Sequence, residues 1–191
     1  MADAFDVLPD VALDPGTPLG AAFAACDVRR FRDAARFVGA LPYGRNGDRA
    51  DFGLVLRERR GTCSTKHALL AALAEEHGAP VDLALGIYLM DEANTPGVGP
   101  TLAEAGLDAV PEAHCYLVAG GARLDLTWPG RAGAPPPVVW EEPLRPEGIG
   151  AYKVGRHRAF VATWSAERGL DADVVWAARE ACIVALSTPA A

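Results

Sequence analysis

The sequence reads RGTCSTKHALLAALAEEHG from Arg60 to Gly78, and this segment carries the strongest structural signal in the chain. Three leucines recur at helical spacing among alanines, and the final glycine stands where helices commonly end. We therefore predict a buried helix over Cys63–Glu76. The cysteine then stands at the very start of the helix, two residues after Gly61.

The start of a helix is a favourable place for a reactive thiol. The N–H groups of the first turn and the helix dipole favour negative charge there, so they lower the pKa of a cysteine and raise its thiolate fraction. The same N–H groups can bind the oxyanion that develops on an acyl carbon. Gly61 would let the backbone and a substrate approach closely, and Cys63 is therefore the candidate nucleophile.

The segments around this helix predict an α+β protein. An apolar run over Val81–Met90 is typical of a buried strand. A hairpin follows, with arms at 113–118 and 123–128 around a Gly120-Gly121 turn. Helices are also predicted over residues 17–41 with a possible break, 52–58, 101–106, 156–168, and from Asp171 or Asp173 onward.

The length of the chain predicts one domain over residues 1–191. Its core would lie at about 40–130, and helices at about 150–188 would close it at the C-terminal end. A proline-rich stretch at 129–146 carries no predicted element.

Two chemically active residues occupy the arms of the predicted hairpin. If the turn is centred between Ala119 and Gly120, His114 lies directly opposite Asp125, with Cβ atoms ~5 Å apart on one face of the sheet. A carboxylate in that position can accept an imidazole hydrogen bond. The opposite face then carries an apolar set suited to the core, namely Cys115, Leu117, Leu124, Leu126 and Trp128.

Three segments resemble the transglutaminase-like superfamily, in its order Cys, His, Asp: the Gly-x-Cys start of the helix, Ala113-His114 at a strand start, and the Asp-Leu-Thr run from Asp125. The resemblance implies a cysteine-proteinase-like fold, in which a nucleophile helix packs on a small antiparallel sheet flanked by N- and C-terminal helices. It also implies that Cys63 is the nucleophile, His114 the general base and acid, and Asp125 the residue that orients the imidazole.

Several positions depart from the pattern of that superfamily. Ser64 follows the nucleophile where true transglutaminases commonly have an aromatic residue, Cys115 stands where alanine is usual, and Leu126 replaces a proline. The Arg-Gly-Thr-Cys run is also similar to the arylamine N-acetyltransferases, which share the triad and use acetyl-CoA. The resemblance therefore implies the superfamily rather than protein cross-linking in particular.

Further residues are candidates for an oxyanion donor or for the pocket wall. His67 lies one turn after Cys63 on the same helical face and is an alternative base, although a solvated or pocket-lining role is the preferred interpretation. Lys66 can help to lower the pKa of the thiol, against a default of a solvent-facing lysine. The full set of these candidates is Tyr43, Asn46, Arg60, Lys66, His67 and Trp128.

Composition excludes several other classes of protein. The chain has a net charge of −7 and lacks the basic patch of a nucleic-acid binder. Its start lacks the regions of a signal peptide, and no apolar run reaches the ~18 residues of a membrane helix. A reducing cytoplasm is therefore expected, and it would keep a catalytic thiol free. The four cysteines form no CxxC pair, which disfavours a zinc knuckle or a thioredoxin-type motif, and we expect no metal and no cofactor.

These features predict a cysteine-nucleophile hydrolase or acyltransferase that forms an acyl-enzyme at Cys63. The substrate would be a peptide, a protein or a small amide, ester or thioester, with water or an amine as the acceptor. Three alternatives stay open: an inactive domain of the same fold that only binds, a CoA-dependent acyltransferase of the arylamine N-acetyltransferase type, and a metal site formed by Cys63, His67 and His114.

Overall fold

A computed structural model describes residues 3–127, 133 and 135–187 of the chain. Within these residues the chain forms seven α-helices and four strands, which confirms the predicted α+β class. None of the described helices has the length and apolar character needed to cross a bilayer. The helices are α1 (Pro18–Ala24), α2 (Phe31–Ala40), α3 (Leu54–Glu58), α4 (Cys63–Glu76), α5 (Gly99–Glu104), α6 (Ala151–Ala166) and α7 (Ala172–Ser187). The strands are β1 (Val81–Met90), β2 (Val110–Ala119), β3 (Ala122–Leu124) and β4 (Trp140–Leu144).

The strands form one antiparallel sheet in the order β3-β2-β1-β4, and helix α4 packs on it. Strand β1 has the predicted bounds, whereas β4 lies inside the proline-rich stretch 129–146, where no element is predicted. Strand β4 is at the sheet edge and contains Pro143. An edge strand tolerates proline because the proline nitrogen, which has no N–H to donate, can face solvent instead of a neighbouring strand. This position explains how a segment of turn-like composition still forms a strand.

The helices differ from the predicted ones mainly at their ends. The predicted helix 17–41 is divided into α1 and α2, and Asp27 lies between them with φ of +60°. That left-handed conformation is incompatible with a continuous helix. Helix α5 begins and ends slightly earlier in the chain than the predicted helix 101–106. Helix α6 begins before residue 156, where its start was predicted.

The hairpin between β2 and β3 has a different register from the predicted one. Ala119 pairs with Ala122, so the turn is centred within the glycine pair 120–121. Both glycines have positive φ, +56° and +80°, as a two-residue type I′ turn requires. The predicted direct pairing of His114 with Asp125 is therefore wrong.

The register changes by two residues, and this shift keeps each side chain on its original face because strand side chains alternate with period two. Asp125 follows β3 directly, and continuation of the observed register by one residue places it opposite Tyr116. His114 lies two residues away from Tyr116 on the same face of β2. Diagonal neighbours of this kind lie within reach of long side chains, so the pair still meets.

Helix α4 has both of its predicted ends. Thr62 and Thr65 form a capping box at its start, in which each side chain accepts the backbone N–H of the other residue. Gly78 has φ of +61° just past the end of the helix, a conformation that glycine adopts without strain. Local sequence signals therefore account for where α4 begins and ends.

Helix α4 is buried on almost every side. Helices α1, α2 and α3 and the 3-10 turn Pro146–Ile149 contact it, in addition to the sheet. A helix surrounded in this way has no solvent-facing stripe, so its polar residues are buried along with its leucines and alanines. These buried polar residues are Ser64, Thr65, Lys66 and His67.

The chain divides into two compact units. The first contains the described residues within 1–85, 114–135 and 142–150, and the second those within 86–113, 136–141 and 151–191. The second unit has its own apolar cluster, formed by residues of β1, β2 and helices α5, α6 and α7. Arg179 also pairs there with buried Glu112 through two contacts of 2.5 and 2.7 Å. The prediction that residues 1–191 form one domain stays a prediction.

Packing requires a glycine at position 61. A Cβ at this position would lie 2.9 Å from side-chain atoms of Val55, Thr65 and Lys66. We expect Gly61→Ala to lower the free energy of unfolding by about 1–3 kcal/mol, because overpacking forces buried neighbours to move. Urea unfolding followed by circular dichroism measures this change.

Gly155 in α6 is the matched control. It is exposed, and a Cβ there would meet no atom within 4 Å. Gly155→Ala should raise the free energy of unfolding by up to ~1 kcal/mol, because alanine is the better helix former. Equal stability of Gly61→Ala and the wild type would contradict the packing role of Gly61.

Candidate active site

The imidazole of His114 and the carboxylate of Asp125 are hydrogen-bonded inside the first unit. His114 Nε2 lies 2.6 Å from Asp125 Oδ2, and both residues are buried. The main chain of Asp125 is held by Gly133, through a donated bond of 2.6 Å and an accepted bond of 2.9 Å. The structure therefore brings together the pair that the sequence predicted. The backbone N–H and the carbonyl of Asp125 are both hydrogen-bonded, which fixes this residue in place.

The other oxygen of the Asp125 carboxylate is held by a residue that the sequence analysis did not select. Thr127 donates both its backbone N–H and its hydroxyl to Oδ1, each at 2.8 Å. An aspartate that bonds the backbone two residues further on forms an Asx turn, and the Asp-x-Thr pattern was a signal of it. Thr127 therefore holds the carboxylate with Oδ2 directed at His114.

The thiol of Cys63 hydrogen-bonds the same imidazole. Since Nε2 is engaged by Asp125, we infer that Nδ1 is the ring nitrogen that bonds the sulfur. Cys63 is 5% and His114 8% exposed, so both residues are almost fully shielded from solvent. Ser64 Oγ lies 3.9 Å from the sulfur. The three predicted triad residues thus form one continuous chain of contacts.

The charges in this chain of contacts depend on one another. Burial alone would lower the pKa of His114, but Cys63 and Asp125 together raise it well above its usual value. Burial would raise the pKa of Asp125, but the charge and hydrogen bond of His114 hold it well below its usual range. These shifts favour a protonated His114 beside an ionised Asp125. A cysteine next to an imidazolium is stabilised as the thiolate, the form in which it acts as a nucleophile.

His67 is completely buried, so the preferred solvated or pocket-lining role is wrong. Its Nδ1 lies 2.8 Å from the carbonyl oxygen of Cys63, and its Nε2 accepts the N–H of Leu126 at 2.9 Å. Burial lowers the pKa of His67 to about 4, although the Asp125 carboxylate acts in the opposite direction. Both ring nitrogens therefore bond the backbone, and the alternative role of a base toward the thiol finds no support.

Lys66 is also buried, so the expected solvent-facing position is wrong. Its Nζ donates to the carbonyl oxygens of Leu41 at 2.5 Å and Gly39 at 3.5 Å. These carbonyls lie at the C-terminal end of α2, where a cation is favoured by the helix dipole. Burial lowers the pKa of Lys66, whereas Asp125 raises it. Lys66 therefore joins α4 to the end of α2.

Asn46 lies in the segment before α3, and Arg60 lies in the short connection between α3 and α4. The Nδ2 group of Asn46 donates to Glu58 Oε2 at 3.1 Å and to the Arg60 carbonyl at 3.0 Å, and its Oδ1 accepts the Thr65 hydroxyl at 2.8 Å. Arg60 is exposed, with Nε 3.4 Å from Glu58 Oε2. Asn46 thus uses both of its N–H bonds to hold the end of α3 and the connection to α4, and has none left for an oxyanion.

Tyr43 lies beside the segment that leads to Cys63. It forms a parallel bridge with Gly61, whose N–H donates to the Pro42 carbonyl at 3.2 Å. The Tyr43 side chain is largely exposed, at 57% for the residue. Trp128, the remaining pocket candidate, lies outside the described residues.

Across the residues that the structure describes, no group of three or more His, Cys, Asp or Glu side chains is placed to hold a metal ion. The set suggested by the sequence was Cys63, His67 and His114. His67 accepts the Leu126 N–H with the one ring lone pair that a neutral imidazole offers. Its lone pair is therefore already used in the observed arrangement.

The buried neutral state of His67 predicts a pH dependence of stability. Its pKa of about 4 in the folded protein compares with about 6.5 in an unfolded chain. As the pH falls through this window, the unfolded chain binds a proton at His67 that the folded chain does not. The free energy of unfolding should therefore fall by up to ~1.4 kcal/mol per pH unit from this residue alone.

Urea unfolding across that window, in the wild type and in His67→Gln, measures the contribution of His67. The wild type should show the steeper loss of stability on acidification. His157 also destabilises the protein on acidification, because burial lowers its pKa, but it is present in both proteins and does not change the comparison. The pKa of His114 is raised in the folded protein, so protonation of His114 stabilises the fold. This stabilisation is complete at pH values below the pKa of an unfolded histidine and is lost only as the pH rises through the pKa of the folded state, which lies above the window. Parallel slopes in the two proteins would contradict the neutral buried state of His67.

Comparisons with protein families, with curated proteins and with solved structures found no match. The candidate site is therefore defined by the geometry of its own side chains. The superfamily resemblance noted in the sequence stays a prediction.

Proposed function

We propose that this protein is a thiol enzyme of the transglutaminase-like type, which transfers acyl groups through an acyl-enzyme at Cys63. The observation that supports this function is the imidazole of His114, which is hydrogen-bonded to the Asp125 carboxylate at 2.6 Å and also to the Cys63 thiol. Linked buried groups with strongly shifted pKa values are typical of catalytic sites. In this proposal the fold is of the cysteine-proteinase type, and α4 is the nucleophile helix.

Acylation begins from the thiolate and the imidazolium. The sulfur of Cys63 attacks the carbonyl carbon of an amide, ester or thioester, and a C–S bond forms while the carbonyl electrons move to oxygen. His114 then donates its Nδ1 proton to the leaving nitrogen, oxygen or sulfur as the bond to the acyl carbon breaks. Asp125 keeps the imidazole oriented and stabilises its charge until the proton leaves.

Deacylation reverses these proton movements. Water or an amine attacks the thioester carbon, and neutral His114 takes the proton of the attacking group. The C–S bond breaks, the sulfur leaves as a thiolate, and the original ion pair is restored. The products are a carboxylic acid when water attacks and an amide when an amine attacks.

The oxyanion needs hydrogen-bond donors near the start of α4. Backbone N–H groups in the first turn of a helix point beyond its end, where they can stabilise negative charge. The predicted candidates that keep this role in the proposal are Tyr43, whose backbone runs beside Gly61, and Arg60, which precedes it. Asn46 is disfavoured for this role, since both of its N–H bonds are used.

A reducing compartment such as the cytoplasm suits this chemistry. All four cysteines lie in the described part of the chain, and none is in a disulfide. The nucleophile must be available as a thiolate, and cytosolic reductants maintain thiols.

Alkylation by iodoacetamide tests whether Cys63 is activated. Cys26 is the least buried of the four cysteines, so the experiment uses a Cys26→Ser background. Cys63 should react with an apparent pKa at least ~1 pH unit below the value of about 8.5 for an ordinary cysteine. His114→Gln should raise that apparent pKa and slow alkylation at neutral pH at least ~10-fold, because each unit of pKa changes the thiolate fraction tenfold. Intact-protein mass spectrometry follows the reaction.

A p-nitrophenyl ester tests the acyl transfer itself. The wild type should release a burst of p-nitrophenol and carry the acyl mass on Cys63, and Cys63→Ala should do neither. Asp125→Ala should slow acylation by ~10²–10⁴-fold, because the imidazole loses its orienting carboxylate. Cys182→Ala, a buried thiol of the second unit, is the control and should behave as the wild type.

The same assays separate the alternatives. A wild-type thiol of ordinary pKa that forms no acyl-enzyme would favour an inactive binding domain. An acetyl-enzyme formed from acetyl-CoA but not from simple esters would favour the CoA-dependent acyltransferase.

A further inference from the structure

His67 connects two parts of the candidate site from inside the protein. Its Nδ1 lies 2.8 Å from the carbonyl oxygen of the nucleophile residue itself, Cys63. Its Nε2 lies 2.9 Å from the amide of Leu126, the residue next to Asp125. The second partner is distant in the chain, since Leu126 lies 59 positions after His67. A single buried ring therefore spans the gap between the nucleophile helix and the aspartate segment.

The two backbone partners determine which nitrogen of His67 carries the proton. An amide N–H can only donate, so Nε2 must present its lone pair to Leu126. A carbonyl can only accept, so Nδ1 must carry the hydrogen that is donated to Cys63. His67 is therefore the neutral Nδ1–H tautomer, and complete burial of the ring favours that neutral form.

This tautomer also decides how the Asp125 carboxylate is shared. His67 Nε2 lies 3.6 Å from Asp125 Oδ1, but it has no proton to donate. Oδ1 instead accepts the two donors of Thr127, and Oδ2 accepts His114 at 2.6 Å. A protonated Nε2 on His67 would compete with Thr127 for Oδ1, and its positive charge would disfavour protonation of His114. The neutral ring therefore leaves the carboxylate to the triad histidine.

We propose that His67 is a positioning residue: it fastens the first turn of α4 to the segment that carries Asp125, and thereby sets the separation between the thiol and the His114–Asp125 pair. The catalytic meaning of this role rests on the proposed function, whereas the positioning of the pair does not. His67 acts through its two backbone partners and touches no reacting atom.

The other end of α4 supplies a matched control. His77 makes the same two bonds as His67, with Nδ1 2.9 Å from the Leu73 carbonyl four residues earlier and Nε2 accepting the N–H of Asp14 at 2.8 Å. It therefore fastens the same helix by the same chemistry, but ten positions along the helix, or about 15 Å by helical rise, from His67. A merely structural effect of losing such a histidine should appear at both positions.

Two substitutions separate the two bonds of each histidine. In His67→Asn the amide nitrogen lies near the place of Nδ1, so the bond to Cys63 can form and the bond to Leu126 is lost. In His67→Gln the amide oxygen can reach the place of Nε2, so the acceptor for Leu126 remains and the donor to Cys63 is lost. His77→Asn and His77→Gln are the corresponding controls.

Three measurements on these variants test the proposal, all in the Cys26→Ser background. Urea unfolding gives stability, iodoacetamide gives the pH profile of Cys63, and NMR titration gives the pKa of His114. Both His67 variants should slow alkylation at neutral pH by ~10-fold, through a higher apparent thiol pKa, and should lower the pKa of His114. The His77 variants should lose stability without changing either profile.

Folded His67 variants with the wild-type alkylation profile and the wild-type pKa of His114 would overturn the proposal, whatever their stability. If one of the two variants does not fold, the other decides the question. The proposed function fails by a different result, the absence of an acyl-enzyme on wild-type Cys63. In that case the pKa of His114 still reports whether His67 positions the pair.

Discussion

Helix α4 is buried on almost every side, so the polar side chains of its first two turns need hydrogen-bond partners inside the protein. Thr65 finds its partners in the capping box and in Asn46, which lies before α3, and Lys66 finds them at the end of α2. His67 finds them in the Cys63 carbonyl and the Leu126 amide. Each of these bonds satisfies a buried group and also attaches a neighbouring segment to the helix. The same interactions therefore stabilise the helix start and arrange the residues around the thiol.

The charge of Asp125 acts on three basic groups, because it favours the protonated forms of Lys66, His67 and His114. Burial opposes protonation at all three positions and dominates at Lys66 and His67. At His114 the thiol adds a second anionic partner, and the balance is reversed. Of the two histidines, the one that contacts the sulfur is therefore the one on which the positive charge is favoured. This division of charge matters for the proposed chemistry, since an imidazolium beside a thiolate is the starting state for acylation.

Much of the site could be predicted because it lies on elements with strong local signals. The bounds of α4 and β1 follow from periodicity and caps, and the pair His114 and Asp125 follows from alternation along two strands. The predicted register was wrong by two residues, yet the pair was right, because a shift of two preserves the face of every side chain. A shift of one residue would have separated the pair. By contrast, β4 was missed, because an edge strand tolerates the proline and charged residues that are typical of a loop.

The amino-acid sequence alone was sufficient for the α+β class, for a cysteine at a helix start and for the face that His114 and Asp125 share, because these features depend on periods and caps within a few neighbouring residues. The tertiary structure decided the roles of Lys66 and His67. Both side chains bond residues that are distant in the chain. Lys66 bonds Leu41, which is 25 positions away, and His67 bonds Leu126, which is 59 positions away. Whether a polar residue on a helix is solvated or buried depends on which segments cover that helix. No local pattern contains that information, since it arises only when the chain has packed.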